Sequence, residues 1–444
     1  MNKEFQKKQN FFSFSDIDSE RKDRIMKFTS TEATPAPHVP PGVLRLTGAA
    51  KEDIPMYRIQ TMNKISPVGL NRFPSELYEV GDAVQDPQGI LVRSAKLLDL
   101  EFNPGLLAIA RAGVGVNNIP LDRCAAAGIP VFSTPGANAN AVKELVICAM
   151  LMGSRDIPGA IRWVREQAAS GVDVSTVVEK GKSAFIGPEL YKKTLGIIGL
   201  GAIGSIVANT AISLGMDVYG YDPFLSVDTA LRLDRHVHVV KDINDLYKRS
   251  DYITMHIHYT EKTAHMIDAS AIAAMKRGVR VINLARGEIV DDEAMLTALD
   301  TGMVAAYITD FPNNRLLTAP HVIAMPHLGA STPESEQNCA AMAVDALRDY
   351  LESGNIRSSV NLPEMTMDRS GVQRLCVLHK NVPGMLANIT SLFGRDGVNV
   401  ENLSNKSRGD YAYTMVDLGS KVGDNVIEDV RRTANVIRVR SLKW

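Results

Sequence analysis

Only four of the 444 residues are cysteines: Cys124, Cys148, Cys339 and Cys376. They are scattered, so they supply neither a disulfide framework nor the spacing of a metal-ligand set, and free thiols in a reducing compartment are expected. His256 and His258 alternate along one strand-like run, but no third ligand accompanies them. We therefore predict that the protein has no metal site.

Long apolar runs are also missing. The longest, "ELVICAMLMG", is too short to span a bilayer, and the first residues are polar and charged, unlike a secretory signal. Forty-nine Lys and Arg residues balance 50 Asp and Glu residues, so the formal net charge is −1. The chain therefore has no excess of positive charge that would favour binding to nucleic acid or to an anionic membrane. A cytoplasmic protein with neither partner is expected.

The first 55 residues lack a core-forming period. They are mixed in charge and then rich in Pro and Thr, as in "TEATPAPHVPPG". We predict a mostly disordered extension, because such a segment buries too little apolar surface to offset its chain entropy. Met56 directly precedes the strand-like "YRIQTMNKIS", which makes it a candidate for the biological start.

The rest of the chain alternates apolar strand-like runs with helical patterns. This alternation predicts two doubly wound parallel-sheet (Rossmann-like) domains plus a C-terminal α+β ferredoxin-like domain. The expected boundaries are a first domain at 56–155 and 327–355, a second at 156–326, a linker at 356–371 and the C-terminal domain at 372–444.

The most informative motif is "TLGIIGLGAIGSIVANTAISLGMDVYGYD". Gly199, Gly201 and Gly204 follow a strand and open a helix, and Asp222 ends the next strand, 18 residues beyond Gly204. This context predicts a dinucleotide site, with the pyrophosphate at the helix N-terminus beside Ala202 and Ile203. A carboxylate at the ribose hydroxyls would repel a 2′-phosphate, so NAD is expected rather than NADP.

Three further polar residues follow strands of the second domain. Arg286 follows "RVINLA", Asp310 ends "VAAYIT", and His327 follows "HVIAMP". In a doubly wound sheet, ligands bind at the carboxyl ends of the strands. We therefore expect all three side chains on the edge that carries the glycine loop.

"GLGAIG", "NLARGEIVDDEAM" and "MPHLGASTPES", in this order and spacing, resemble the D-isomer-specific 2-hydroxyacid dehydrogenases over about residues 56–355. The resemblance implies an NAD-binding second domain and a substrate-binding first domain. It implies that His327 takes the proton of the 2-hydroxyl, that Arg286 binds the substrate carboxylate and 2-oxygen, and that Asp310 binds the nicotinamide carboxamide. It adds cofactor contacts at His256, Ala285, His327 and Gly329.

One position departs from the family pattern. Members normally carry a glutamate after the "DFP" turn that pairs with the catalytic histidine, and here the corresponding residue is Asn314 in "TDFPNNRLL". An amide can accept the imidazole N–H but adds no charge to stabilise imidazolium. Either Glu334 or Glu336 substitutes, or activity is low or shifted to higher pH.

The resemblance also directs attention to an anion subsite for 3-phosphoglycerate in the first domain. Arg93 and Ser94 in "ILVRSAK" follow a strand, and Asn138 in "STPGANANAVKEL" precedes a helix N-terminus. Two alternatives stay open. One is a dehydrogenase of the glyoxylate or hydroxypyruvate reductase type, and the other is a dinucleotide-sensing binding protein that has lost turnover.

The C-terminal segment "RLCVLHKNVPGMLANITSLFGRDGVNVENLSNKS" resembles the amino-acid-binding ACT domain. In relatives inhibited by serine, residues matching His379, Asn381 and Asn399 hold the effector between paired modules. The resemblance therefore implies L-serine as an effector and a homodimer or homotetramer. The alternative is a dimerisation module without an effector.

Overall fold

The computed structural model describes residues 56–444. The predicted disordered extension, residues 1–55, lies outside the described residues. Three sheets form in chain order, two parallel and one antiparallel. This confirms the predicted fold class of two α/β units followed by an α+β unit.

The first sheet is parallel, with strand order β2-β1-β3-β4-β5. Its strands are β1 (Tyr57–Met62), β2 (Tyr78–Gly81), β3 (Gly89–Val92), β4 (Ala108–Arg111) and β5 (Val131–Phe132), joined in part by helices α1 (Pro67–Leu70) and α2 (Leu121–Ala126). Val92 is in register with Arg111. The carboxyl ends of β3 and β4 therefore lie side by side, and each presents an arginine there.

The second sheet has seven parallel strands in the order β12-β11-β10-β9-β6-β7-β8. They are β6 (Thr194–Ile198), β7 (Asp217–Tyr221), β8 (Val237–Val240), β9 (Tyr252–Met255), β10 (Val279–Asn283), β11 (Val304–Thr309) and β12 (Val322–Ala324). The strand order reverses between β6 and β9. Such a switch point opens a crevice at the carboxyl ends of the strands.

Eight helices lie between the two sheets in sequence or cover the second one. They are α3 (Ala139–Arg155), α4 (Ile157–Ala169), α5 (Val174–Gly181), α6 (Ala202–Ser213), α7 (Val227–Ala230), α8 (Ile243–Arg249), α9 (Ala269–Ala273) and α10 (Asp292–Asp300). Helices α3 and α4 are separate elements, because Asp156 between them adopts a left-handed φ of 39°. Val142, Val146 and Met150 of α3 pack with the second sheet, although the sequence assigns this stretch to the first domain.

Helix α11 (Pro333–Ser353) returns the chain to the first sheet. Its 21 residues span about 31 Å at 1.5 Å per residue. Leu347 and Tyr350 are fully buried in the core of the first sheet. At the crossing with α1, a Cβ on Gly69 would lie only 2.6 Å from the main chain of Ala340. Glycine is therefore what allows the two helices to approach so closely.

The stretch predicted as a linker is packed. Ile356 and Leu362 are 0% exposed and Met365 is 1% exposed, and all three join the core of the first sheet. The main chain of Val131 donates to the side-chain oxygen of Asn361 at 2.9 Å. Residues 356–367 thus form part of the first unit rather than a free connection.

The third sheet is antiparallel, in the order β14-β15-β13-β16. Its elements are β13 (Gln373–Lys380), α12 (Met385–Arg395), β14 (Val400–Arg408), β15 (Tyr411–Leu418), α13 (Asp424–Arg432) and β16 (Val436–Lys443), which matches the predicted order. Both helices cover one face, around Val377 and Phe393. The opposite face, including Leu378 and Met415, packs on the core of the first sheet.

The third sheet caps the C-terminus of α11. Arg440 donates to the carbonyls of Tyr350 and Leu351, each at 2.9 Å. Arg374 donates to the carbonyl of Ser353 at 2.8 Å, and the Tyr413 hydroxyl donates to that of Gly354 at 2.6 Å. The last carbonyls of a helix lack intrahelical donors. Here the Tyr350 carbonyl also accepts from the Gly354 N–H and the Leu351 carbonyl from the Tyr57 hydroxyl, whereas Ser353 and Gly354 receive their donors from the third sheet.

Arg374 also forms a fully buried ion pair with Asp417, with both side chains 0% exposed and Nε to Oδ1 at 2.6 Å. We expect Arg374→Met to lower the free energy of unfolding by about 3–5 kcal/mol, because it leaves a buried carboxylate without its partner. Urea denaturation measures the change. As the control, Arg431→Met breaks the exposed pair with Glu428 and should cost less than about 0.5 kcal/mol. Equal losses in the two variants would contradict the role assigned to the buried pair.

Candidate active site

The glycine loop follows β6 at the switch point. Gly199 has a φ of +90°, and a Cβ there would lie 2.6 Å from the carbonyl oxygen of His256. A Cβ on Gly204 would lie 1.9 Å from the carbonyl oxygen of Gly199, whereas Gly201 faces open space. Gly199 and Gly204 are therefore required by packing. Gly201 keeps the main chain accessible at the start of α6, where Ala202 and Ile203 offer N–H groups to an anion.

Asp222 lies directly after β7, beside this loop. Its Oδ2 accepts from the main chain of Leu200 and its Oδ1 from that of Phe224, each at 2.9 Å. These bonds fix the carboxylate next to the glycine loop, and each oxygen keeps a second acceptor position. The arrangement fits a diol such as a ribose.

His256 follows β9 and is partly buried. Its Nε2 lies 3.2 Å from the Thr254 hydroxyl, and burial lowers the pKa of the imidazole to about 4. The ring is therefore neutral near pH 7. The His256 carbonyl packs against Gly199, so this residue borders the crevice beside the glycine loop.

Asp310 follows β11 and is 1% exposed. Its Oδ2 accepts from the Gly329 N–H at 3.1 Å, which fastens the loop that carries His327. Its Oδ1 is buried without a hydrogen-bond partner in the described structure. Burial raises the pKa of this carboxyl, opposed by the Gly329 hydrogen bond and the charge of His327. A buried acceptor with no partner fits a ligand N–H, such as that of a carboxamide.

Arg286 stands on a turn after β10. The buried Asn283 clamps this turn, because its Nδ2 donates to the Arg286 carbonyl at 2.8 Å and its Oδ1 accepts from Ala285 at 3.2 Å. The Arg286 guanidinium carbon lies 5.8 Å from the Phe311 ring centroid, and the exposed His327 ring lies 4.6 Å from the same centroid. Phe311 therefore contacts both groups and brings the guanidinium and the imidazole to one locality.

Asn314 is exposed and makes no side-chain hydrogen bond within residues 56–444. The neighbouring Asn313 instead organises this loop, with its Nδ2 donating to Asp292 at 2.7 Å. Neither Glu334 nor Glu336 is hydrogen-bonded to the His327 ring in the described structure, and Glu336 pairs with Arg93. The expected carboxylate partner of the histidine is thus not formed by either glutamate.

A third arginine joins the two predicted ones. Arg111 ends β4, and its Nε donates to the Arg93 carbonyl at 2.9 Å. A Cβ on Gly115 would lie 3.2 Å from an Arg111 nitrogen and 3.5 Å from an Arg286 nitrogen, so the two guanidinium groups are neighbours. Burial, with repulsion from Arg286 and Arg93, lowers the pKa of Arg111. Such a concentration of like charge suits an anionic ligand.

Sequence reasoning missed Arg111, Asn283 and Phe311. The sequence does mark Arg111, because it stands at the end of the strand-like run in "LLAIARAG", much as Arg93 follows the run in "ILVRSAK". The contribution of Phe311 depends on its contacts with Arg286 and His327, which come from separate loops. No local pattern marks such a contact.

The other predicted substrate residues are Ser94, next to Arg93 in the chain, and Asn138, which lies before α3. The N–H groups of Ser94 and Ala95 both donate to Asn63 Oδ1, so the Ser94 amide is already engaged. Asn138 precedes α3, and its Oδ1 is buried without a partner in the described structure, as is the hydroxyl of the fully buried Thr134. Both polar atoms lie in the loop before α3 and are available to bind a ligand.

A cavity of about 550 Å³ lies on the other side of the Arg286 turn, bordered by Gly287 and Phe311. Four carboxylates line it: Glu288, Asp291, Asp292 and Glu293. Arg315 also lines it, but the four carboxylates leave the lining negative, so the arginine side of Phe311 suits an acidic substrate better. Among residues 56–444, no group of three or more His, Cys, Asp or Glu side chains is placed to hold a metal ion, and no helix is long and apolar enough to cross a membrane.

The three predicted effector residues do not meet within one chain. His379 is 2% exposed, with its ring nitrogens 2.8 Å from the Lys380 carbonyl and 2.9 Å from the Thr414 hydroxyl. Asn381 follows at the same end of the sheet and donates to the Gly409 carbonyl. Asn399 lies at the opposite end, where its carbonyl accepts from Gly419. A shared site therefore requires more than one copy.

Comparison with known proteins agrees with this geometry. Residues 147–329 match the family model described as "D-isomer specific 2-hydroxyacid dehydrogenase, NAD binding domain". The D-3-phosphoglycerate dehydrogenase of Haemophilus influenzae is 31% identical over 379 residues, which cover 82% of this chain and 88% of the relative. The chain belongs to the D-isomer specific 2-hydroxyacid dehydrogenase family.

Other members of the family give the same picture. The D-3-phosphoglycerate dehydrogenase of Synechocystis is 36% identical over 326 residues, which cover 71% of this chain and 56% of the relative. The chain thus spans little more than half of that relative's length. The crystal structure of NAD⁺-bound 3-phosphoglycerate dehydrogenase from Entamoeba histolytica aligns with a TM-score of 0.54 at 26% identity, covering 69% of this chain and 99% of that one. The cofactor of the matched domain is NAD, as predicted from the glycine motif.

The neutral state of His256 makes stability depend on pH. The unfolded chain binds a proton at this residue below its ordinary pKa of 6.5, whereas the folded protein does so only near 4. Falling pH between these values therefore favours unfolding. We expect His256→Gln to flatten the pH dependence of the urea midpoint in this window, and the exposed neighbour His258→Gln to leave it as in the wild type. A wild-type slope in both variants would argue against the burial assigned to His256.

Asn314 offers a test of the missing carboxylate. A glutamate there would stabilise imidazolium and raise the pKa of His327. The rising limb of the pH–rate profile for hydroxy-acid oxidation should then move to higher pH in Asn314→Glu, relative to wild type and to Asn314→Gln. By this argument the rising limb lies at a lower pH with asparagine at residue 314 than with glutamate. The sequence analysis expected the opposite, a shift to higher pH. An unchanged profile and turnover would show that residue 314 does not act on the histidine.

Proposed function

We propose that this protein is an NAD-dependent oxidoreductase that oxidises 3-phospho-D-glycerate to 3-phosphooxypyruvate, the first step of L-serine biosynthesis. The observation that carries the substrate assignment is the cluster of Arg93, Arg111 and Arg286 beside His327. A 2-hydroxy acid needs one cation for its carboxylate. The additional arginines suit a second anionic group on the same small molecule, and a phosphate satisfies this requirement.

The residues divide the work by position. The Arg286 guanidinium, held beside Phe311, binds the substrate carboxylate and 2-oxygen. Arg93 and Arg111, at adjacent strand ends, bind the phosphate. His327 accepts the proton of the 2-hydroxyl as the carbonyl forms. NAD, when bound, takes the hydride from carbon 2.

Asp310 has two tasks in this scheme. Its Oδ1 is a buried acceptor for the carboxamide of the cofactor, and its Oδ2 holds the His327 loop through Gly329. The same carboxylate thus binds the cofactor through one oxygen and holds the loop of the proton acceptor through the other. The glycine loop and Asp222 hold the pyrophosphate and the ribose at the other end.

We also propose a homo-oligomer. Helices α4 and α5 have no buried residue in the single chain, and Ile161, Val164 and Val178 are 51%, 38% and 38% exposed. An apolar surface of this kind favours a second copy. The edge strand β14 offers a second contact, since it is paired on one side only.

Feedback by L-serine is part of the same proposal. Antiparallel pairing of two β14 edges would bring Asn399 of one copy toward the His379 and Asn381 end of the other, because these residues lie at opposite ends of the sheet. Amide and imidazole groups can pair the ammonium and carboxylate of a zwitterion without adding net charge.

The test is NADH formation from 3-phosphoglycerate and NAD, with and without L-serine. Wild type should turn over and be inhibited by serine, and His327→Ala should lose at least about 10²-fold in kcat as a general base is removed. Arg111→Ala should raise KM more than it lowers kcat, and Arg58→Ala, a surface arginine of β1, is the control. Absence of turnover in wild type despite NAD binding would refute the enzyme assignment. Indifference to serine would refute the effector site alone.

A further inference from the structure

Glu336 is the carboxylate that faces the arginine cluster from helix α11. Its Oε1 accepts from Arg93 Nη2 at 2.5 Å. The two residues are 243 positions apart, so the contact is set by the packing of α11 on the first sheet. The mechanism above assigns no task to this glutamate.

Arg93 differs from the other two arginines in how it is held. Arg111 is fixed by its bond to a main-chain carbonyl, and Arg286 likewise donates to the Ala285 carbonyl, at 2.6 Å. Within residues 56–444, the Arg93 side chain is held only by the carboxylate, through a single nitrogen. Both partners are accessible, with side-chain exposures of 44% and 43%. The contact uses one N–H of a group that has five to offer.

An exposed, single-contact ion pair is weak and exchangeable. Such pairs contribute about 0.2–1 kcal/mol in water, since solvent screens both charges. A phosphate dianion in the cluster gains charge-assisted bonds from more than one guanidinium, and several such bonds together outweigh the single bond between Arg93 and Glu336. The phosphate can therefore take Arg93 from Glu336. Once displaced, the glutamate stays close to the dianion and repels it.

We propose that Glu336 is a specificity-determining residue: an internal anion that occupies Arg93 until substrate phosphate replaces it. This inference rests on the proposed function, because it assumes that the phosphate binds at Arg93. Glu336 has no hydrogen bond to His327 in the described structure. Its effect falls on the binding of the phosphorylated substrate rather than on the chemical step.

The experiment compares wild type with Glu336→Gln, which keeps the size and hydrogen-bonding capacity of the side chain and removes its charge. Glu334→Gln is the matched control, because it removes the same charge from the same first turn of α11, from a residue with no ion pair in the described structure. Steady-state rates are measured at saturating NAD with 3-phosphoglycerate, and then with D-glycerate, which has no phosphate.

The KM of Glu336→Gln for 3-phosphoglycerate should fall about two- to fivefold, the range given by the energy of an exposed pair. Its kcat and its KM for D-glycerate should stay close to those of wild type, and Glu334→Gln should behave as wild type. A raised KM would mean that Glu336 positions Arg93 for binding, and would overturn the proposal. An unchanged KM, or the same fall in Glu334→Gln, would overturn it as well.

Calorimetric titration of the NAD-loaded protein with inorganic phosphate separates this inference from the proposed function. If wild type does not form NADH, the proposed function fails, but tighter phosphate binding by Glu336→Gln than by both wild type and Glu334→Gln would still support the competition. Equal dissociation constants in the three proteins would overturn it. Normal turnover with equal KM values would overturn the inference and leave the proposed function standing.

Discussion

The last carbonyls of helix α11 accept hydrogen bonds from side chains of a different sheet, and these bonds join the third sheet to the first. Arg440, Arg374 and Tyr413 donate to four carbonyls of this terminus, and the buried ion pair with Asp417 fixes Arg374. Buried carbonyls without donors are costly, so these bonds select one seating of the third sheet on the first. The same helix then reaches the arginine cluster at its other end. Its position there depends on how its far end is capped.

The site divides into a rigid part and an adaptable part. Gly199 and Gly204 have no room for a side chain, and Asp222 is fixed by two main-chain donors, so the cofactor crevice is preformed. His327 is exposed, and its loop is tied mainly through Gly329 to Asp310. The glycine loop and Asp222 are thus more firmly held than the exposed His327. Under the proposed function, such a preformed crevice leaves the selection of the acid to the first unit.

Much of the α/β architecture could be predicted because its signals are local. Apolar runs of the right length give the parallel strands, and the carboxyl ends of such strands share one edge, which brings Arg286, Asp310 and His327 together. Contacts between distant segments could not be predicted in this way. Arg111 lies next to Arg93 because Val92 and Arg111 are in register. Glu336 reaches Arg93 because its helix crosses back to the first sheet. The stretch at 356–367 resembles a linker in the sequence, yet Ile356 and Leu362 are buried by neighbours that only the fold supplies.

The core of the first sheet draws on residues from Ile59 to Leu442. The seven strands of the second sheet, by contrast, come from one continuous stretch, residues 194–324. During synthesis the second sheet can therefore complete its pairings while the first still waits for α11 and for the third sheet. Contacts that close such long loops form late and slowly. The second sheet should thus gain its structure on the ribosome first, and the first sheet last.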